Sequence, residues 1–306
     1  MLKRIIQFSF AFLFIWIGYQ VVYKTPDQKA MKEAVLSQES SNTFSEGFEN
    51  VDSVSELFKE DWSRWHETII QNNKSSFRRT VQYCMINLSS CVMNESVGNY
   101  IAIEKGIRRR GQNSLKFYAE PFGKVWFGDS KAAIRRQLFD FEKGDDVYIS
   151  GWFYFTGPDD AKKSELQNLN QSMFLSLRSR NDTLRNIGEP GPSLFFSFRN
   201  SIGLRYDNWL PAMDVVQQDL LERVHVPLNE WVEIKMHLKL SDVRSEGLVE
   251  IWMNDKKIVG ERAATLPTAD MVYSVLEVGV GSNLNLDESQ TMYVDNLNVS
   301  PTRFND

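Results

Sequence analysis

The sequence predicts an all-β protein of two stacked antiparallel sheets, entered through an N-terminal membrane-spanning helix. Three observations carry this reading. Between residues 77 and 300, segment after segment alternates apolar and polar positions, the period of a strand with one buried face. Glycines and short polar turns separate these segments, and many strands at short spacing pack as stacked antiparallel sheets. The third observation is Ile5–Tyr23, nineteen residues without a charge, preceded by Lys3 and Arg4 and closed by Lys24.

Taken from the N-terminus, nineteen helical residues cover about 28 Å, close to the hydrocarbon thickness of a bilayer. A cleaved signal peptide would carry a shorter apolar core and a small-x-small site, and GYQVVYKTPDQKA supplies no good one. The reading preferred is an uncleaved single-pass anchor; the alternative is a cleaved signal and a secreted protein. In both, the basic start stays in the cytoplasm and the remainder is exported to the periplasm or cell exterior. Residues 1–23 are therefore assigned to the anchor, 24–50 to a polar spacer and 51–306 to the β-domain. Within 51–72, Val54, Leu57, Phe58, Trp62, Trp65 and Ile69 fall at helical spacings, which predicts a short amphipathic helix with both tryptophans in the core.

Strands follow from Phe77: FRRTVQYCMI, SLKFYAE, AAIRRQLFDF, DVYISGWFYF, SMFLSLRS, SLFFSFRN, WVEIKMHLKL, GLVEIWMN and TMYVDNLNV. Segments 157–171 and 181–193 are rich in Gly, Pro, Asn and Asp and read as loops. Segment 212–223 reads as a helix or an irregular crossover. No fixed-period repeat is visible, which argues against a propeller or solenoid.

The net charge of −5 excludes a surface that coats nucleic acid. The charge is uneven, however: residues 105–136 hold nine basic residues against Glu120 and Asp129. Such a stretch suits a polyanionic ligand where folding gathers it on one face; the alternative is strand edges protected by solvated Lys and Arg. Cys84 and Cys91 are the only cysteines and flank a turn, which fits a small-loop disulfide in an oxidising compartment, with two buried thiols as the alternative. Two cysteines and three scattered histidines do not readily build a zinc site, and no EF-hand calcium loop occurs. No cofactor is expected; a structural calcium has no sequence signal. A Gly-rich phosphate loop, a Gly-x-Ser-x-Gly elbow and a His-Glu-x-x-His motif are all missing, which disfavours nucleotide, esterase and metalloprotease chemistry.

Alternation sorts each strand into two faces. In DVYISGWFYF, Val147, Ile149, Phe153 and Phe155 read as core, so Tyr148, Trp152 and Tyr154 project outward. An outward row of rings suits the apolar faces of pyranoses, unless a second layer or loop covers it. In AAIRRQLFDF, Ile134 and Leu138 mark the core, so Arg135 and Gln137 project together, a fork and a hydrogen-bond donor suited to a carboxylate or sulfate. Phe174, Ser176 and Arg178 share one side of their strand, and Phe195, Ser197 and Arg199 one side of the next. His237 lies on the polar side of WVEIKMHLKL and His225 precedes a turn; either could serve as a base, the alternative being a solvated surface histidine.

Several segments in order, GQNSLKF, SKAAIRRQLFDFEKGDDVYISGWFYF, VPLNEWVEIKMHLKLSDVRSEGLVEIWMNDKKI, LEVGVGSN and MYVDNLNVS, resemble the concanavalin A-like jelly-roll domains. Among these the likeness is to the heparin-lyase and alginate-lyase types of polysaccharide lyase, over Val97–Ser300. Laminin-G-like and lectin domains share the pattern. The resemblance implies a β-jelly-roll sandwich that takes an anionic polysaccharide on its concave sheet and cuts it by β-elimination. Arg135 and Gln137 would neutralise the uronate carboxylate, His237 or His225 would take the C5 proton, and Tyr148, Tyr154 or Tyr293 would protonate the leaving oxygen. Trp152, Arg178 and Arg199 would complete the binding surface. The Gln-x-His element expected near Met173–Arg178 reads FLSLRS here, and the tyrosine-rich C-terminal element is reduced to MYVDN. A non-catalytic carbohydrate-binding module or an envelope scaffold is the alternative.

Overall fold

The structure is a computed structural model. It describes residues 43–58, 65–71, 98–120, 130–157, 173–179, 191–196, 202–207, 218–219, 224–283 and 289–303. The anchor segment, Cys84, Cys91, Arg199 and the expected strand FRRTVQYCMI lie outside these. Among the described residues no helix is long and apolar enough to cross a membrane.

In chain order the strands are β1 (Phe44–Glu46), β2 (Trp65–Gln71), β3 (Tyr100–Glu104), β4 (Ser114–Ala119), β5 (Ser130–Phe141), β6 (Asp146–Phe155) and β7 (Met173–Ser179). They continue as β8 (Gly191–Phe196), β9 (Ile202–Asp207), β10 (Gln218–Asp219), β11 (Trp231–Lys239), β12 (Leu248–Met253), β13 (Lys256–Glu261), β14 (Tyr273–Asn283) and β15 (Gln290–Ser300). Two antiparallel sheets result. Sheet A runs β13-β12-β11-β6-β15-β4-β3, with β1 also paired to β15; sheet B runs β10-β9-β8-β7-β14-β5-β2.

Alternation explains the core between them. Val147, Ile149, Phe153 and Phe155 of β6 and Met292 and Val294 of β15 point inward from sheet A. Ala132, Ile134 and Leu138 of β5, Leu175 and Leu177 of β7, and Leu276 and Val278 of β14 meet them from sheet B. The rings of Phe153 and Phe155 lie 5.4 and 5.2 Å from that of Phe174, edge to face. Phe174 is thus a core residue rather than a surface partner of Arg178, because irregular pairing between Met173 and Leu175 turns it inward. In β15 the register shifts between Asp295 and Asn298, with Asn296 at φ 49°, a left-handed conformation that Asn tolerates. The extra residue rephases the strand, so Leu297 and Val299 rejoin the core. The two-residue β12–β13 turn has Asn254 and Asp255 at φ 47° and 64°, the signs a type I′ hairpin needs.

Three sequence expectations are corrected. Residues 51–72 are not one helix: Val54–Phe58 form a 3-10 turn, and Trp65–Gln71 is a strand paired with β5. Local spacing permitted a helix, but β5 offers these residues a ladder of hydrogen bonds. Trp65 is buried against Phe44 and Phe48, at ring separations of 5.8 and 6.3 Å. Phe44–Glu46, read as spacer, pair with β15, and Phe44 and Phe48 enter the core. Gly191–Ser193, read as loop, open β8.

Candidate functional site

The outer face of sheet B carries an ion cluster. Because Ile134 and Leu276 face the core, their neighbours Arg135 and Glu277 face away from it, and the register aligns Glu67 of β2, Arg135 of β5, Glu277 of β14 and Ser176 of β7 in one row. The next row aligns Gln137, Val275 and Arg178. Arg135 Nε donates to Glu277 Oε2 at 2.8 Å and its Nη1 to Glu67 Oε2 at 3.1 Å. Arg178 Nε lies 3.1 Å from Glu277 Oε2. Glu277 is buried. Burial by itself would raise its pKa, but the guanidiniums of Arg178 and Arg135 outweigh that and hold the carboxyl below its usual range. A Cβ on Gly281 would lie 3.0 Å from Glu277 Oε1, so the glycine leaves room for the carboxylate. Gln137 Nε2 donates to the carbonyl of Ser274 at 3.0 Å, and Ser176 Oγ to Ser193 Oγ at 2.7 Å.

Rings and cations occupy the outer face of sheet A. Tyr148 stacks on His237 at 4.1 Å, and His237 bridges Asp146 (Nε2, 2.7 Å) and Glu250 (Nδ1, 2.8 Å). These carboxylates hold opposite edges of the imidazole and do not converge. Lys257 also pairs with Glu250. Trp152 lies under the Arg109 guanidinium, 4.1 Å from its centre. The Arg109 loop is tied down by Asp295 Oδ2, which accepts from the backbone N–H groups of Arg109 and Arg110 at 3.0 and 3.1 Å. Tyr154 meets Trp231 and Tyr293 edge-on at 5.6 and 5.5 Å. Lys116 lies 5.2 Å from the ring of Tyr100 and 6.0 Å from that of Tyr293. Burial raises the Tyr293 phenol pKa, with Lys116 opposing.

The residues assigned from the sequence therefore fall into two groups. Arg135, Gln137 and Arg178 share the outer face of sheet B. Tyr148, Trp152, Tyr154, His237 and Tyr293 share that of sheet A. A single trough holding Arg135 beside the Trp152 row does not form. The chain turns at Glu142–Asp145, with Gly144 at φ 96°, and passes from β5 in one sheet to β6 in the other. Side chains outside the core then face opposite surfaces. Trp152 is capped by Arg109, so it is not an open stacking platform. His225 is exposed, one residue beyond Val224, whose carbonyl accepts the N–H of Ile202 in β9.

The basic stretch is divided as well. Lys105, Arg108 and Arg110 are exposed, Arg109 covers Trp152, Arg135 joins the sheet B cluster, and Arg136 turns inward to lie 3.8 Å over the Phe44 ring. Among the described residues, no three His, Cys, Asp or Glu side chains gather at a metal-sized site. Sequence reasoning missed Glu277. Its signal was an acid between two core residues, Leu276 and Val278, in a strand able to pair with β5.

A polysaccharide lyase family profile matches residues 58–298. A search of curated protein sequences finds no match. Among solved structures, the endo-β-1,4-glucuronan lyase of the fungus Trichoderma reesei is similar at a TM-score of 0.55 and 13% identity, over 69% of this chain and 89% of that one. The alginate lyase Aly36B is similar at a TM-score of 0.49 and 9% identity, over 87% and 99%. The first likeness is one of fold, in which two antiparallel sheets enclose one core. Because the profile spans well over half of its length, the chain belongs to the polysaccharide lyase family.

Proposed function

We propose that the protein recognises an acidic, uronate-bearing polysaccharide on the outer face of sheet B, centred on Arg135, Gln137 and Arg178. The observation that carries this is the division of the Arg135 guanidinium between two unlike carboxylates. Its pair with Glu277 is buried, whereas Glu67 is 48% exposed. The buried pair is strongly held, because removing one partner strands a charge. The exposed pair contributes only about 0–1 kcal/mol. A uronate carboxylate can therefore displace Glu67 while Glu277 keeps both guanidiniums in place. Family membership supports a polysaccharide as ligand, and the glucuronan for which the similar Trichoderma reesei lyase is named supports its acidic character.

Elimination is the second reading, favoured by the family match. It would break the C5–H bond, form the C4–C5 double bond and expel the C4 oxygen with a proton. Neutralising the carboxylate at Arg135 would make the C5 proton more acidic. Of the residues first assigned to the proton transfers, His237 and the tyrosines lie on the other sheet, and His225 adjoins the β9 edge of sheet B, so the geometry favours recognition over that particular catalytic set. The uncharged run Ile5–Tyr23 supports a further part of the proposal, that the domain is tethered to a membrane; fractionation of the full chain with membranes after alkaline wash would test it.

One titration tests the site. Glucuronan oligosaccharides are added to the full chain while heat of binding and absorbance of unsaturated product are followed together. Arg135→Gln should abolish binding at the sheet B face, whereas Glu67→Gln should tighten it there about two- to fivefold by removing the competing carboxylate. Unchanged affinity in both variants would sink the proposed face. A rising absorbance would establish elimination, and binding without it would leave recognition.

A further inference from the structure

On the surface away from the sheet B cluster, a cavity of ≈ 430 Å³ is lined by Tyr148, Lys235, Trp252, Asp255 and Arg303. We infer that it is a second saccharide site, which takes one acidic sugar unit of the polysaccharide. This rests on the polysaccharide reading above but not on the sheet B face. Its size falls within the range of small-molecule clefts, and its lining combines two rings, two cations and one carboxylate.

The walls are built to hold still. Tyr148 stacks on His237 with an interplanar angle of 5°, and His237 is gripped by Asp146 on one side and Glu250 on the other. Turning the tyrosine ring away would expose an imidazole that two carboxylates already orient. Trp252 forms the second wall, with the Lys257 ammonium 5.2 Å from its ring centre. The register places Ser150, Lys235 and Trp252 in one row, and Tyr148, His237 and Glu250 in the next. Tyr148 and Trp252 therefore stand two strands apart, about 10 Å across the sheet by strand spacing, and one row apart along it, with Lys235 on the strand between them.

The polar groups complement a sugar. Lys235 is held by Asp255 at 2.7 Å and Glu233 at 3.3 Å. Burial would weaken its charge, but the hydrogen bond to Asp255 and the charge of Glu233 outweigh that and keep it an ammonium. The Lys235–Asp255 pair thus offers a donor and an acceptor side by side for adjacent hydroxyls. Arg303 is exposed and close enough to act electrostatically on the Tyr148 hydroxyl. It supplies a planar fork for a carboxylate, while the rings of Tyr148 and Trp252 stack on the apolar faces of a pyranose.

The experiment uses the full chain, a glucuronan hexasaccharide and the neutral cellohexaose, read by calorimetry and by saturation-transfer NMR of the sugar protons. Two glucuronan sites are expected in the unaltered protein. Trp252→Ala should remove one and leave the one lost in Arg135→Gln. Arg303→Gln, a rim change with little bearing on folding, should weaken glucuronan at this site about tenfold without altering cellohexaose. Loss of binding in Trp252→Ala alone, with Arg135→Gln silent, would uphold this cavity and reject the sheet B face. Undiminished binding in both Trp252→Ala and Arg303→Gln would overturn the cavity proposal and leave sheet B standing. No binding by the unaltered protein would reject both.

Discussion

The two outer faces of the sandwich use the same residue types in opposite ways. On sheet B, charge is concentrated: Arg135 and Arg178 converge on one buried carboxylate, Glu277. On sheet A, charge is distributed over rings, with Arg109 on Trp152, Lys257 on Trp252 and Lys116 near Tyr100 and Tyr293. Neighbouring strands make this difference. β5 and β6 both alternate aromatic or basic outward residues with apolar inward ones. β5 acquires β14 with its glutamate, whereas β6 acquires β11 and β15 with their rings and histidine. Buried, convergent charge commits a face to a fixed geometry; ring-borne charge leaves it tolerant.

The sharpest way to break the comparison is Glu277→Gln. Two guanidiniums would lose their shared buried anion, and breaking such a pair from one side destabilises by about 3–5 kcal/mol. Urea denaturation should show a midpoint far below that of the unaltered protein. A shift equivalent to under about 1 kcal/mol would mean that Glu67 re-pairs both arginines, and that sheet B is as tolerant as sheet A.

Acid should act on the same group. The folded pKa of Glu277 is held below its unfolded value. Its stabilisation is therefore present above the unfolded carboxylate pKa, about 4.3, and is lost as pH falls through the folded value. Stability of the unaltered protein should decline on that limb, while Glu277→Gln should show a smaller decline. Parallel declines would assign the acid sensitivity to other carboxylates.

Next in size is His237→Ala on sheet A. It removes two hydrogen bonds to Asp146 and Glu250 and the stacking partner of Tyr148. A loss of about 1–3 kcal/mol is expected, readable as a lowered urea midpoint. Lys257 remains to satisfy Glu250, which is why this change should fall short of Glu277→Gln. An equal loss would erase the contrast between concentrated and distributed charge.

Much of this contrast was legible in the sequence, strand by strand. Ile134 and Leu138 marked Arg135 and Gln137 as outward, and Val147 through Phe155 did the same for Tyr148, Trp152 and Tyr154. Side-chain alternation reports which face of its own sheet a residue occupies, but not which sheet a strand joins. That is why Arg135 and Trp152 were expected together and are found apart. Glu277 escaped for the same reason, since its meaning depends on pairing β14 between β5 and β7, strands more than ninety residues away in sequence. Phe174 was misplaced by irregular register; Trp65 was read as core, where it lies, but was given to a helix by a local spacing that a neighbouring strand overrode.

The smallest expected effect tests the distributed face directly. Arg109→Ala removes a guanidinium from the Trp152 ring but leaves the backbone N–H groups of Arg109 and Arg110 on Asp295. The loop thus keeps its attachment, and only the cation–ring contact is lost, about 0.5–1 kcal/mol at a partly exposed site. A double-mutant cycle with Trp152→Ala isolates that contact, because any change in the loop's own anchoring cancels between its two arms. Coupling in this range would mean that sheet A holds its cations by many small, separable contacts. Coupling above about 2 kcal/mol would instead make Arg109 a keystone, and the outer face of sheet A would then be organised as tightly as the Glu277 cluster.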